Sequence, residues 1–277
     1  MGIKIEERFL HTLLFADDQV VIAGDEFDTQ YLMRKLTETF EKWGLKINYD
    51  KTKYLVAGGD AVAGKDVKDL VVDNKIIKGC EEVKYLGVVL SRKGNSEQEI
   101  TERITNARKV ISQLNTLLWS ETLSLRTKRM MNNAILRSVL MYGAEAWELT
   151  KRNKDRLNAV EMDFLRRSCR VSRIEHIRNE EIRRRMNQQE SVVETIESRQ
   201  LLWYGHVKRM SEARWPKFIM EWTPQERRKR GRPPRKWEQD IQNAMNLRQL
   251  NPEDALDRGK WKLRCEKRPD DAVRDLA

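Results

Sequence analysis

The chain has 277 residues, 39% of them hydrophobic and 35% charged, enough for one or two buried cores but too polar for a compact all-β domain. No run of eighteen apolar residues occurs and the first eight residues lack the apolar stretch of a secretory leader, so neither a membrane span nor secretion is expected. The net charge of +11 falls entirely in the second half: residues 1–150 carry 22 basic and 22 acidic side chains, residues 151–277 carry 32 against 21. A neutral front and a basic back point to a polyanion partner for the back half; an arginine-rich, solvated helical surface is the plain alternative. Cys80, Cys169 and Cys265 are odd in number and far apart, which reads as reduced thiols in an intracellular protein.

The first clear element lies between His11 and Ala23, where two short apolar, β-branched runs flank a polar pair and predict a tight β-hairpin. Apolar residues at Tyr31, Leu32, Leu36, Phe40 and Trp43 then space out an amphipathic helix from Asp28 to Trp43, with Asp28 as N-cap and Gly44 as the stop. Leu45–Ile47 and Tyr54–Val56 read as short strands, residues 58–80 as a loop with a weak strand, and Tyr85–Leu90 as a strand ending in a turn at Ser91–Gly94. From Ser96 the period becomes helical. Ile100, Ile104, Ala107, Ile111, Leu114 and Leu118 mark one face of a long helix, and Ser96-Glu97-Gln98-Glu99 has the form of a capping box. Further helices are expected at Leu125–Leu149, Lys154–Arg170, Asn179–Met186, Ser191–Met210 and Trp237–Asn246. The strong break is Thr223–Lys236, with three of the six prolines and seven bases against one acid.

The turn Phe15-Ala16-Asp17-Asp18 carries the sharpest chemical signal. Adjacent carboxylates repel and raise each other's pKa, so a divalent cation is the usual reason to keep such a pair on an apolar hairpin. An inert, solvated Asp-Asp turn is the alternative. Two-metal phosphoryl transfer on a nucleic acid is as far as the residues alone reach.

The aromatic-Ala-Asp-Asp turn resembles the palm motif of reverse transcriptases. Gly44-Leu45-Lys46-Ile47-Asn48 with Lys51-Thr52-Lys53 is similar to the next palm motif, and Tyr85-Leu86-Gly87 to the hairpin that grips the primer end. Tyr142-Gly143-Ala144-Glu145-Ala146-Trp147, Trp203 to Met210 and Arg230-Gly231-Arg232-Pro233 are similar to segments that follow the palm in non-LTR retroelement polymerases. The resemblance implies an α+β chain: a partial palm of hairpin, helix and short strands over residues 1–92, a helical thumb over 93–150, and a basic, mostly helical nucleic-acid-binding region over 151–277. It implies Asp17 as the principal ligand and Asp18 as the supporting ligand of catalytic Mg²⁺, Lys51 or Lys53 near the incoming deoxynucleoside triphosphate, and Gly87 where the primer backbone comes close. Solvated turns for the lysines and a simple bulge for the glycine are equally open. The parent reaction would be RNA-templated DNA synthesis, with an RNA template and a DNA primer or target.

Departures from the family pattern are as informative. A further palm aspartate and the fingers are needed, and only nine residues precede Leu10, too few for either. The expectation is therefore a partial reading frame or decayed copy that does not polymerise DNA by itself. A hairpin apolar on both faces fits central palm strands; without its partner strands it leaves an open edge, so poor solubility or dimerisation is expected.

In the basic run, Arg227, Arg228, Lys229, Arg230, Arg232, Arg235 and Lys236 are candidate nucleic-acid contacts. Arg230-Gly231-Arg232-Pro233 resembles the core of an AT-hook, which lies in a narrow A·T minor groove. A nuclear localisation signal or a basic linker would carry the same residues, and nuclear as well as cytoplasmic location is expected. Six of the eight tryptophans lie beyond position 120; packing is their expected role and base stacking the alternative. Neither a zinc site nor a Ser/His/Asp arrangement is indicated. The rival overall reading is a non-enzymatic DNA-binding nuclear protein derived from a retroelement, in which Asp17 and Asp18 have no role.

Overall fold

The computed structural model describes residues 2–58, 67–222 and 236–266, and the chain divides into two units, Met1–Gly94 and Asn95–Ala277. The mixed α+β class expected from the sequence is observed.

The first unit is built from short, mostly antiparallel ladders and one long helix. Strands β1 (Ile3–Ile5) and β2 (Arg8–Leu10) pair as a hairpin that the sequence reading did not anticipate. Strands β3 (Thr12–Phe15) and β4 (Asp18–Val21) form the expected hairpin, with Phe15 opposite Asp18 and Thr12 opposite Val21. Helix α1 covers Glu26–Lys42. Its cap is Asp25, not Asp28: the Asp25 Oδ1 accepts the Asp28 amide at 2.7 Å, and the extended backbone of Asp25 is the geometry a cap needs. The helix stops as predicted at Gly44, whose φ of +71° is the left-handed conformation that ends a helix. Leu45–Ile47 is not a strand; that stretch leads into a turn at Tyr49–Lys51. The next strand, β5, is only Lys53–Tyr54.

The loop reading of residues 58–80 missed a hairpin. Strands β6 (Leu70–Val72) and β7 (Lys75–Gly79) pair antiparallel, and β5 adds to β7 in parallel. Asp73 and Asn74 turn the chain at φ +46° and +64°, values that Asp and Asn tolerate better than other side-chain-bearing residues. Met33 of α1 buries against Leu70, Val72 and Ile77, which gives this unit a small core. Tyr85–Leu90 is likewise a hairpin rather than one strand: β8 (Glu82–Tyr85) pairs with β9 (Val88–Ser91) around Leu86-Gly87, with φ +47° and +79°.

The second unit is helical. Helix α2 (Glu97–Gln113) buries Ile100, Ile104, Ala107 and Ile111 as read from their spacing, and Leu118 on the separate helix α3 (Asn115–Trp119) joins them. The Ser96 capping box is not formed. Its hydroxyl instead accepts the Glu148 amide at 3.3 Å, and Glu99 bonds Arg103 at 2.5 Å. The helix expected at Leu125–Leu149 ends earlier. It runs as α4 (Leu125–Met131), a π-helical segment (Asn132–Leu136) and α5 (Arg137–Leu140). Gly143, at φ +72°, then turns the chain into a short 3₁₀ segment at Ala144–Ala146.

Helices α6 (Lys151–Ser168), α7 (Asn179–Arg185) and α8 (Val192–Lys208) follow within three residues of their predicted starts and ends. Two elements went unforeseen: α9 (Trp215–Glu221) on one side of α10 (Trp237–Leu247), and α11 (Arg258–Glu266) on the other. One apolar cluster runs from Ile100 to Ile196 and passes without a break across residue 150. A second gathers Leu201, Ile241, Ala244, Met245, Trp261 and Cys265.

Two buried contacts fix this unit. The fully buried Glu161 carboxylate accepts from Arg137 Nε and Nη2 at 2.8 and 2.6 Å, from Arg183 Nη2 at 2.7 Å and from the Val192 amide at 3.0 Å. It thereby joins α5, α6, α7 and the start of α8. Gly205 on α8 touches the Trp261 indole so closely that a β-carbon there would overlap it. Replacing Glu161 by Gln strands two guanidinium charges and is expected to destabilise by about 3–5 kcal/mol; Gly205→Ala should cost about 1–3 kcal/mol through overpacking. Urea unfolding monitored by circular dichroism reads both, and an unshifted midpoint for either variant would contradict that assignment.

Candidate functional site

The hairpin β3–β4 carries the acidic pair at its tip. Thr12 to Phe15 and Asp18 to Val21 pair residue for residue, and the Ile22 amide adds a bond to the His11 carbonyl at 2.7 Å, so only Ala16 and Asp17 remain for the turn. Ala16 takes φ +52° while Asp17 keeps a negative φ. A two-residue turn with the left-handed residue first normally uses glycine there, so an alanine stores strain, and such strain concentrates at functional sites. Residues directly opposed on a ladder share a face, so Asp18 lies on the face of Phe15, Leu13 and Val20. Both carboxylates are exposed.

The surroundings of the pair are apolar. Leu13, Leu14 and Phe15 are 39, 71 and 61% exposed, so the hairpin is apolar on both faces, as the sequence suggested. Val21, by contrast, packs against the small core of α1 and the β6–β7 hairpin.

Two adjacent carboxylates are part of a Mg²⁺ donor set. Mg²⁺ is commonly held by one or two carboxylates with waters and substrate phosphates filling the rest of its octahedron. Among the described residues no group of three or more His, Cys, Asp or Glu side chains could hold a metal. Asp17 and Asp18 could supply two ligands of such an octahedron.

Other predicted residues lie on separate elements of the same unit. Asn48 builds the turn that presents Lys51: its side-chain oxygen accepts the Lys51 amide at 3.2 Å and its carbonyl accepts the Thr52 amide at 3.0 Å. Lys51 is exposed, and Lys53 sits on β5 opposite Lys78. Gly87 occupies the β8–β9 turn, where its positive φ gives a local reason for glycine. The acidic pair, the lysines and Gly87 thus belong to three different ladders. Arg227, Arg228, Lys229, Arg230, Arg232 and Arg235 lie outside the described residues. Lys236 is exposed just before α10, its amide donating to Gln239 Oε1 at 3.4 Å.

The segments Tyr142–Trp147 and Trp203–Met210 have structural work within the second unit. Gln200 donates to the Ala144 and Trp147 carbonyls at 3.1 and 2.8 Å, Trp237 Nε1 donates to the Glu145 carbonyl at 2.8 Å, and Asp240 accepts the Leu149 amide at 2.9 Å. In Trp203–Met210, Tyr204 lies 6.0 Å from Trp261, ring to ring, and Arg209 donates to the Ala255 carbonyl. Trp147 and Trp261 are buried, in keeping with packing. Burial pushes the Cys265 thiol up to about 12 and the Cys169 thiol above its ordinary value, so neither is a nucleophile at neutral pH. Buried Lys128 has no carboxylate partner among the described residues; its ammonium donates to the carbonyls of Leu118, Ser120 and Ser168, and desolvation lowers its pKa.

Sequence reasoning singled out the acidic pair but passed over Ala16, whose strain becomes visible only once the ladder register leaves two residues for the turn. Ala16→Gly is expected to relieve it and stabilise the hairpin by roughly 0.5–1 kcal/mol. Slower amide exchange at Val20 and Ile22 checks this; faster exchange would show the turn to be unstrained.

Comparisons with known proteins agree with this part of the chain. Residues 4–90 match the family model described as reverse transcriptase (RNA-dependent DNA polymerase). The chain is also similar to an uncharacterised transposon-derived protein of Caenorhabditis elegans, with 28% identity over 93% of this chain and 96% of that protein.

Proposed function

We propose that this chain carries part of the reverse transcriptase of a non-LTR retrotransposon: a partial palm over residues 1–92, a helical thumb over 93–150 and a basic nucleic-acid-binding region over 151–277. The observation that carries the reading is the family match over residues 4–90, which includes a strained two-residue turn displaying two exposed carboxylates. The transposon-derived relative supports the same origin.

In the complete polymerase, Asp17 and Asp18 would hold Mg²⁺, which would supply charge stabilisation for attack by a primer 3′-oxygen and for departure of pyrophosphate. Lys51 or Lys53 neutralises triphosphate charge of the deoxynucleotide, and Gly87 lets the primer backbone approach. Template RNA and primer or target DNA are the macromolecular partners, bound through Lys and Arg of the second unit and the run Arg227–Lys236. Nucleus and cytoplasm are the compartments in which such a protein meets its template and target.

In this reading the chain alone does not polymerise, because the reaction uses three carboxylates and the turn displays two. What it retains is nucleic-acid binding. The same two facts also favour a second reading, a non-enzymatic, retroelement-derived DNA-binding protein of the nucleus.

Primer extension on an RNA template with Mg²⁺, alongside fluorescence anisotropy with labelled oligonucleotides, tests these statements. We expect no extension, and binding that weakens steeply with salt. Replacing Arg230 and Arg232 by Ala should lower DNA affinity roughly tenfold, about 1.4 kcal/mol. Asp17→Ala separates the readings: a loss of Mg²⁺-dependent binding of primer–template supports the polymerase origin of the pair, whereas no change supports the binding protein. Extension by the wild-type chain that Asp17→Ala abolishes would refute the inactivity stated here.

A further inference from the structure

The second unit contains a cationic recess that no comparison assigns. It is about 630 Å³ in volume and lies between the π-helical stretch, the turn Asn187–Glu190 and the first turns of α8. Its size is that of a pocket for one small ligand or one residue of a polymer. Arg129, Asn133 and Arg137 line one side, and Thr195 and Arg199, four apart on α8, line the other. Residues eight apart on an uninterrupted α-helix drift by about 80°. The wider π turn at Asn132–Leu136 takes up much of that drift and brings Arg129, Asn133 and Arg137 into one row. π segments of this kind are frequent at functional sites.

The charges are not mutually satisfied. Arg137 is neutralised from behind by Glu161 at 2.6 Å. Arg129 donates through Nη1 to the Asn187 carbonyl at 2.9 Å, a neutral partner that leaves its charge uncompensated. Arg199 is exposed and has no hydrogen bond or ion pair among the described residues. Glu190 supplies the one carboxylate of the lining. The recess is therefore electropositive and suits an anion.

A second observation narrows the ligand. Gln188 lines the recess and is 7% exposed; its Nε2 donates to the Glu190 carbonyl at 3.3 Å, while its Oε1 is buried and has no donor among the described residues. A buried acceptor left unpaired is costly, and the phosphodiester of a nucleic-acid strand cannot pair it, because it carries no hydrogen-bond donor. A ligand that satisfies both features presents an anionic group and, beside it, a hydroxyl or amine donor. A ribonucleotide unit does so through its phosphate and 2′-hydroxyl, whereas the sugar inside a DNA strand has no hydroxyl to give.

We propose that this recess binds one nucleotide of an RNA strand, with Arg129 and Arg199 on the phosphate and the Gln188 amide turning its oxygen out to accept from the 2′-hydroxyl. The assignment rests on the nucleic-acid-binding reading above and supplies a strand preference which that reading lacks.

The test uses the full chain, with anisotropy titrations of one single-stranded sequence made as RNA and as DNA, and with inorganic phosphate and adenosine monophosphate as small-anion probes. Expected results are tighter binding of the RNA, a loss of at least tenfold in RNA affinity with a shallower salt dependence for the double variant Arg129→Ala, Arg199→Ala, and loss of the RNA-over-DNA preference for Gln188→Met. Thermal melting confirms that each variant folds; Arg199→Ala alone, on an exposed side chain, keeps the test valid should the double variant unfold. RNA binding unchanged in folded Arg199→Ala and Gln188→Met overturns this site while leaving nucleic-acid binding elsewhere intact. Failure of the wild-type chain to bind either oligonucleotide overturns both this site and the reading beneath it. Adenosine monophosphate or phosphate binding as tightly as the RNA overturns the strand assignment in favour of a small-anion pocket.

Discussion

The carboxylate of Glu161 is the constraint around which the second unit is arranged. A fully buried anion is tolerable only when its lone pairs are filled, and here two arginines and one backbone amide fill them from three other elements. Each donor is thereby held in place. Val192 begins α8, so the carboxylate helps set where that helix starts, and Arg183 ties α7 to the same point. Arg137 is held with its remaining donors on Thr195 and the Glu190 carbonyl, which shapes one wall of the cationic recess. A side chain with no contact to any ligand thus governs the geometry of a surface suited to bind one.

Helix α8 carries that order onward. Its N-terminal half belongs to the larger apolar cluster and its C-terminal half to the smaller one, so a single element links two cores. Gln200 satisfies two carbonyls of the turn at Ala144–Trp147, and the missing side chain at Gly205 lets the Trp261 indole press against the helix and donate to the Leu201 carbonyl. The Tyr142–Trp147 and Trp203–Met210 segments look like functional motifs in the sequence. Within this unit their hydrogen bonds and contacts are those of a packing interface between a turn and three helices, which is reason enough for their composition.

The first unit has a different balance. Its core is four buried side chains, while Leu14, Phe15, Phe27 and Trp43 stay more than half exposed. Short two-stranded ladders cannot bury both of their faces, and the β3–β4 hairpin that presents Asp17 and Asp18 is the clearest example. The apolar setting that would strengthen a metal's pull on two carboxylates is present in the residue types around them, yet those side chains face solvent in this chain.

Strong local signals made much of this legible in advance. The hairpin at Asp17-Asp18, the stop at Gly44, the face of α2 and helices α6, α7, α8 and α10 each follow from a repeating apolar period or a residue with a special backbone preference, information held within a dozen consecutive positions. The order of polymerase-like segments over residues 10–90 was legible for the same reason. Sequence did not reveal that Asp73-Asn74 is a hairpin turn inside a longer apolar run, and the pattern at Tyr85–Leu90 read as one strand, with only the likeness to the primer-gripping hairpin pointing to a turn, because an apolar run reads alike whether it continues or folds back. It did not reveal that Leu125–Leu149 breaks at Gly143, nor that Asn132–Leu136 widens into a π turn. Those outcomes depend on partners far along the chain: Gln200 holds the turn after Gly143, and Arg137 reaches Glu161 across 24 residues. Pairing of buried charge and the placing of Arg129 and Arg199 on one recess arise only when distant segments compete for the same space and the same hydrogen bonds, so tertiary structure alone decides them.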